Sequence, residues 1–140
     1  MSALHRKLRD DRRGSVAVEF ALAGTVLITM MLGTIGAGLL VWTHAGLQAT
    51  ANDTARCVAI GAPACADAPV YAAGLAGRWV FPGIINAANV SVAAASTCNG
   101  ASGIYTRVTI TSGHWASSVL PPPLDTWAVQ VTACHLSDEA

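Results

Sequence analysis

The pattern of hydrophobic and polar positions begins with a long uncharged run near the N-terminus of this 140-residue chain. The run extends from Phe20 to Trp42 and reads FALAGTVLITMMLGTIGAGLLVW. At about 1.5 Å per residue, a helix over this run is roughly 34 Å long, enough to cross a hydrocarbon core of about 30 Å. The rest of the chain is too small to enclose such a rod. The run therefore predicts a transmembrane segment over about 20–42 rather than a buried core helix.

A helical period continues beyond this run. Apolar residues recur at intervals of four, four and three at Leu47, Ala51, Ala55 and Val58. That spacing places them on one helix face, and Gly61 and Pro63 then stop the helix. We therefore expect one helix over 16–60, whose outer half is the spine on which a small domain packs.

Residues 61–140 show a different pattern. A short second helix is expected over 70–80, followed by alternation of apolar and polar positions, which is typical of strands with one buried face. The alternating segments are 90–94, 107–111 and 127–133, with a turn predicted at 99–103 and a long connection at 112–125. The expected fold is α+β and pilin-like in layout: one long N-terminal helix, a short helix and an antiparallel sheet of about three strands.

Charge is sparse and unevenly placed. Only 11% of the residues are charged and the net charge is zero, yet residues 1–14 carry five basic and two acidic groups. This +3 is balanced by −3 over residues 15–140. The folded part has no basic patch for nucleic acid, and the composition is too hydrophobic for disorder. The positive-inside rule predicts a cytoplasmic N-terminus and an outer domain on the far side of the membrane.

A cleaved secretory signal is the alternative interpretation of the run. Such signals have apolar regions of about 7–15 residues followed by a cleavage site of small residues. The run here is longer, and cleavage after Ala37 or Gly38 would divide one helix. The alternative stays open.

The junction before the run carries a distinctive motif. It reads Arg13-Gly14-Ser15-Val16-Ala17-Val18-Glu19-Phe20, with a carboxylate at the edge of the apolar segment. Carboxylates in such positions are rare and usually have a partner. If the chain were cut after Gly14, Ser15 would carry a free ammonium group. Glu19 would then lie one turn away on the same helix face, or face the ammonium of a neighbouring chain.

This motif resembles the processing site of type IV prepilins, and the Glu-Phe pair resembles the Flp/Tad class. The segment 45–57, which contains Thr54-Ala55-Arg56, is similar to the stretch that follows the helix in TadE-like proteins. The resemblance covers residues 6–60. It implies a minor pilin, or pseudopilin, of a Flp/Tad pilus, in the bacterial inner membrane with a periplasmic outer domain.

The resemblance also implies roles for individual residues. A prepilin peptidase would cut after Gly14 and leave Ser15 as the mature N-terminus, while Glu19 would serve assembly and Phe20 recognition or packing. The implied partners are that peptidase, other pilins, membrane proteins of pilus assembly and the lipid bilayer. None of these residues would be catalytic in this chain.

Small residues are dense in the apolar run, at Gly24, Gly33, Gly36, Ala37 and Gly38. Small residues allow helix backbones to approach closely in lipid, although glycine is also generally common in membrane helices. We expect Gly24, Gly33, Gly36 and Ala37 to pack against neighbouring helices.

All four cysteines are predicted to lie outside the cytoplasm, where disulfides form. Four cysteines allow three pairings. In an up-down-up sheet, the ends of the first and third strands lie at the same edge, which favours Cys98–Cys134 and leaves Cys57–Cys65. A zinc site including His114 and His135 is the alternative, but the cysteines lack the spacing of structural zinc sites.

Enzymatic function has little support in the sequence. Ser112, Ser117, Ser118, His114 and Asp125 do not form a Gly-x-Ser-x-Gly elbow, and a hydrolytic triad is defined by geometry. We expect neither catalysis, nor a cofactor, metal or small-molecule substrate, nor nucleic-acid binding. Trp127 is expected in the core, and Trp115 at a partner contact.

Two hypotheses about function follow. The first is a structural pilus subunit made of a cleaved leader at 1–14, a long helix at 15–60 and a disulfide-stapled domain at 61–140. The second is an uncleaved, single-pass membrane anchor carrying a periplasmic binding or assembly module of another envelope complex. Whether a pilus subunit would initiate, cap or decorate the filament, and whether it is nearer TadE or TadF-like proteins, stays open.

Overall fold

A computed structural model of the protein describes residues 13–80, 85–98, 100–112 and 128–137. Helix α1 spans Arg13–Ala59 and helix α2 spans Ala68–Ala76. The strands are β1 (Val90–Cys98), β2 (Ala101–Thr111) and β3 (Gln130–Leu136), and single 3-10 turns lie at Pro63–Cys65 and Ala87–Asn89. This confirms the predicted α+β arrangement of one long helix, a short helix and a three-stranded antiparallel sheet.

The chain forms two compact units, residues 1–40 and residues 41–140. In the first unit the described residues are the membrane-length part of α1, whose large apolar side chains are exposed. Its threonines hydrogen-bond to carbonyls of their own helix: Thr25 to Ala21 at 2.7 Å, Thr29 to Thr25 at 2.7 Å and Thr34 to Met31 at 2.9 Å. These hydroxyls therefore need no water, which suits a helix surrounded by lipid.

In the second unit, the continuation of α1 is buried along one face. Of the predicted stripe, Leu47, Ala51 and Ala55 are fully buried, while Val58 is only half-buried near the end of the helix. Sequence periodicity missed two polar residues on the buried side, Thr50 and Thr54, which are also fully buried. Their hydroxyls donate to the carbonyls of Gly46 and Thr50 at 2.9 and 2.8 Å. Burying these hydroxyls costs little free energy because each one is hydrogen-bonded to a carbonyl of its own helix.

Helix α1 ends in a Schellman motif. The Ala62 N–H donates to the Cys57 carbonyl at 3.2 Å and the Gly61 N–H donates to the Val58 carbonyl at 3.0 Å. Gly61 has a φ of 65°, in the left-handed region where glycine carries no Cβ penalty. The glycine stop expected from the sequence therefore works through this hydrogen-bonded cap.

Helix α2 begins and ends earlier than the range 70–80 expected from the sequence. Asp67 caps its N-terminus by accepting a hydrogen bond from the Val70 N–H at 3.2 Å, and a proline lies in the first turn. Both are standard helix-start signals. The helix ends at Ala76, before Gly77. Apolar residues alone do not indicate where α2 begins, because the Asp67 cap sets its start.

The sheet has the order β1-β2-β3, with antiparallel neighbours. Its inward positions form one core with α1 and α2, and the buried sheet residues are Val90, Val108, Ile110, Val131 and Ala133. The predicted turn at 99–103 is too long, because Cys98 pairs with Ala101 and Thr97 with Ser102. Gly100, which lies in the tight connection before Ala101, has a φ of 83°, in the left-handed region that tight hairpin loops use. Trp127 and the prolines at 121–123 lie outside the described residues.

Candidate processing and assembly site

The junction motif lies at the N-terminal end of the described part of α1, which spans Arg13–Ala59. This part includes the Gly14–Ser15 peptide bond. A peptidase that binds an extended substrate would therefore have to unwind the helix locally to cut this bond.

Nothing in the described structure demands a glycine at position 14. Residues 14–20 are exposed, and a Cβ added to Gly14 would have no heavy atom of another part of the chain within 4 Å. The backbone is helical, with a φ that does not call for glycine. A requirement for glycine at this position would therefore come from outside the fold, which is what a processing enzyme would impose.

Glu19 and Phe20 present their side chains outward at the start of the apolar segment. Glu19 is exposed, and Phe20 is 79% exposed, the highest value among the large hydrophobic residues of this helix. Ser15 and Glu19 are four residues apart, which places them on one face about 6 Å apart along the axis. A new ammonium group at Ser15 would lie at the positive end of the helix dipole. The Glu19 carboxylate lies within one turn of that charge and could offset it.

The small residues of the apolar run meet nothing within their own chain. A Cβ added to Gly24, Gly33 or Gly36 would have no neighbour within 4 Å, and Ala37 is exposed. These positions are open to lipid or to a second helix. Their role in helix packing remains a prediction.

In the second unit, Gly46 of α1 contacts Trp79 of the segment after α2, and no pattern in the sequence indicated this contact. A Cβ added to Gly46 would lie 2.8 Å from the Cβ of Trp79, so glycine permits the segment after α2 to touch the α1 backbone. The Trp42 indole N–H donates to the Trp79 carbonyl at 2.8 Å. The only signal in the sequence was a glycine in a helix otherwise rich in alanine.

Two disulfides join the four cysteines, as Cys57–Cys65 and Cys98–Cys134, the same pairs as those expected. The first closes the turn after α1, with a Cα–Cα distance of 6.1 Å. It links the last helical turn to the 3-10 turn that follows. The helix end is thus held both by its cap and by a covalent bond.

The second disulfide reveals a bend in the sheet. Cys98 pairs with Ala101 but Cys134 pairs with Arg107, positions about 20 Å apart on an extended strand. The Cα atoms of the two cysteines are nevertheless 6.4 Å apart. The hairpin end of β1–β2 must therefore fold back over the sheet. The register shift between Ala95 and Thr97 marks the bend, and Arg107 Nη2 donates to the Thr97 carbonyl at 2.6 Å across it.

Other candidate residues take structural roles or lie outside the described ranges. Ser112 is buried, and its Oγ accepts a hydrogen bond from the Val129 N–H at 2.8 Å. His135 contacts the neighbouring Leu136 carbonyl at 3.0 Å. Within the described ranges, no three His, Cys, Asp or Glu residues are placed to hold a metal. The remaining candidates are outside these ranges: His114, Trp115, Ser117, Ser118 and Asp125.

Comparison with known families bears on the N-terminal part of the chain. Residues 14–56 match the model of a family described as TadE-like protein. This confirms the resemblance suggested by the junction motif, and the match begins at Gly14 and ends at Arg56. No curated protein and no solved structure matches the chain. Residues 14–56 are thus similar to proteins described as TadE-like, and the chain carries an apolar N-terminal helix long enough to span a membrane.

Proposed function

We propose that this protein is a minor pilin, or pseudopilin, of a Flp/Tad-type pilus, cut after Gly14 by a prepilin peptidase before it takes part in pilus assembly. The observation that carries the proposal is the family match, which starts at Gly14 and covers the whole apolar segment. Gly14, Ser15, Glu19 and Phe20 would then act as substrate and assembly residues. The chain would be a structural subunit, not an enzyme.

The charge distribution supports an orientation in the inner membrane. Five basic groups precede the apolar run, and the next one after it is Arg56. The N-terminus would therefore lie in the cytoplasm and the disulfide-bonded domain in the periplasm. Both disulfides belong to the unit that this orientation places in the oxidising compartment.

Removal of residues 1–14 would change the electrostatics of the helix start. The cut would remove a net +3 and leave −3 of side-chain charge, besides a new ammonium on Ser15. Before the cut, the basic leader holds the helix end at the cytoplasmic surface. Afterwards, Glu19 is the only charged side chain before Asp53. Pairing of the Glu19 carboxylate with an ammonium group, in its own chain or in a neighbour, would lower the free-energy cost of holding this charge at the membrane edge.

The test is the mass of the membrane form in bacterial cells with an active prepilin peptidase. The unsubstituted chain should begin at Ser15, and Gly14→Ala should keep residues 1–14. Gly24→Ala is the matched control, because it makes the same change in the same helix at a site equally free of neighbours. It should be cut normally. A chain that keeps its leader beside an active peptidase would support the alternative, an uncleaved membrane anchor of another envelope complex.

Assembly is tested separately with Glu19→Gln, which removes the charge and keeps the shape. Cleavage should continue, while the amount of the protein in sheared pili should fall well below that of the unsubstituted chain. Glu19→Asp keeps the charge and should restore part of the incorporation. Normal incorporation of the Gln variant would contradict the assembly role of the carboxylate.

A further inference from the structure

Two exposed tryptophans form a pair where the apolar run of α1 ends. Trp42 is the last residue of the uncharged run and is 61% exposed, while Trp79 comes from the segment after α2 and is 47% exposed. Between them lies a shallow, almost wholly apolar groove of about 140 Å³, lined also by Ala45, Gly46 and Ala49. So much exposed indole surface is unusual for a domain surrounded by water, and it calls for a partner.

The depth of Trp79 relative to Trp42 is fixed by two contacts. The Trp42 indole donates to the Trp79 carbonyl at 2.8 Å, and the Cβ of Trp79 lies against Gly46. Gly46 is four residues beyond Trp42, or about 6 Å along the helix axis. The buried Val80 that follows ties the segment into the core. Trp79 therefore lies within about one helical turn of the end of the apolar run.

That depth coincides with the membrane interface if residues 20–42 cross the bilayer. The headgroup regions add about 5–8 Å on each side of the hydrocarbon core. Trp42 would lie at the inner boundary of this layer, and Trp79 within it. Tryptophan is enriched in this layer, because the indole ring is both apolar and polar.

Charge near the pair also favours a lipid surface. Arg78 precedes Trp79, is exposed, and lines a groove on α2 with Val70, Tyr71, Gly74 and Leu75. Among the described residues, the nearest carboxylates along the two helices are Asp53, about 16 Å beyond Trp42 on the axis of α1, and Asp67, which caps the opposite end of α2. A basic side chain beside aromatic rings, without an acidic one on the neighbouring helical turns, suits lipid phosphates.

We propose that Trp42 and Trp79 together bind the outer interface of the bilayer, so that the domain after the helix has its own contact with lipid. The inference rests on the membrane span in the proposed function, but not on cleavage or pilus assembly. The pair would limit how far the domain can lift from the surface while the protein is in the membrane. Trp79 would be the lipid-binding residue supplied by the domain rather than by the span.

The experiment measures quenching of single tryptophans by brominated lipid in nanodiscs. Three full-length chains keep one tryptophan each: Trp42 alone, Trp79 alone, and Ile60→Trp alone, with phenylalanine at the remaining tryptophan positions. Ile60 is exposed and lies about 27 Å beyond Trp42 along the helix axis, which makes it the control outside the membrane. With bromine near the headgroup, Trp79 should be quenched within about twofold of Trp42, because both lie in the interfacial layer. The Ile60→Trp chain should show almost no quenching.

Each outcome bears on a different claim. If Trp42 is quenched but Trp79 is not, the membrane span stands and the lipid contact of the domain is refuted. If neither is quenched, the span itself is wrong. A Trp79 shielded from both lipid and aqueous iodide would show that a protein covers it, which also overturns the inference. Trp42→Phe removes the hydrogen bond to the Trp79 carbonyl. Fluorine NMR of the unsubstituted chain with 5-fluorotryptophan and a lipid-bound paramagnet therefore repeats the measurement with that bond intact. Its result decides if the phenylalanine variants disagree with it or fail to fold.

Discussion

The two parts of helix α1 are made from similar residues but meet different surroundings. In the first unit, Leu27 is 60% exposed and Gly24 has no neighbour within 4 Å. In the second unit, Leu47 is fully buried and Gly46 is in close contact with Trp79. One continuous helix thus changes from a surface open to its environment to one covered by its own chain.

This difference shows that small residues in a helix have two separate uses. Ala51 and Ala55 are small because the sheet and α2 pack close to the helix within one core. Gly33 and Gly36 face open space in the single chain, so any packing reason for them must come from another molecule or from lipid. Substitutions in the two units test this difference, with stability measured by denaturant unfolding of the second unit (residues 41–140, here the outer unit) in detergent.

The largest loss is expected from the disulfide that holds the folded-back hairpin. Replacing Cys98 and Cys134 by serine should lower the free energy of unfolding by about 4 kcal/mol, from the entropy of a loop closed over a separation of 36 residues. The same change at Cys57 and Cys65 should cost about 2.5 kcal/mol, since that separation is only 8. Equal losses would show that loop entropy does not control the stability of this domain.

A slightly smaller loss is expected at the centre of the covered helix face. Leu47→Ala should cost about 3 kcal/mol, because it leaves a cavity at a fully buried site. Leu27→Ala makes the same change in the exposed part of the helix and should alter the outer unit by less than about 0.5 kcal/mol. A similar cost at both positions would contradict the contrast between the units.

Gly46→Ala tests the close approach of Trp79. The added methyl would lie 2.8 Å from the Cβ of Trp79, and neither atom is at the end of a flexible side chain. Moving the backbone apart should cost about 1–3 kcal/mol. It should also break the Trp42–Trp79 hydrogen bond and change tryptophan emission. Normal stability together with unchanged emission would mean that the segment after α2 is not held against the helix.

The smallest effect is expected at Gly74, with the opposite sign. This glycine lies inside α2, and an added Cβ would meet nothing within 4 Å. Gly74→Ala should therefore stabilise the outer unit by about 0.5–1 kcal/mol through helix propensity alone. Together with Gly46→Ala, it compares two helical glycines whose substitutions should act in opposite directions. Destabilisation at Gly74 would point to a neighbour outside the described residues.

Much of the fold could be predicted from local patterns. The apolar run and the spacing of Leu47, Ala51 and Ala55 identify the helix, and alternation around Val108 and Val131 identifies two strands. Helix ends were less accurate where side-chain capping decided them, as at Asp67. The hairpin turn was misplaced because the small residues after Gly100 resemble a loop but pair with β1.

The candidate site also has some features that the sequence predicts and others that only the tertiary structure creates. Gly14, Glu19 and Phe20 form a linear motif, so their spacing is visible without any tertiary contact. The Gly46–Trp79 contact and the Trp42 hydrogen bond join segments more than 30 residues apart, and no local pattern links them. Thr50 and Thr54 were overlooked because a hydroxyl satisfied within its own helix can occupy an apolar face.

The sequence by itself determined the membrane-length helix, its charged start and the junction motif, because these depend on residue type and spacing along one helix. It also limited the cysteines to three pairings. The tertiary structure decided how the hairpin folds back to join Cys98 and Cys134, and which glycine lies under Trp79. Those features depend on backbone paths that bring distant residues within a few ångströms of each other. Hydrophobic periodicity holds no information about such long-range contacts.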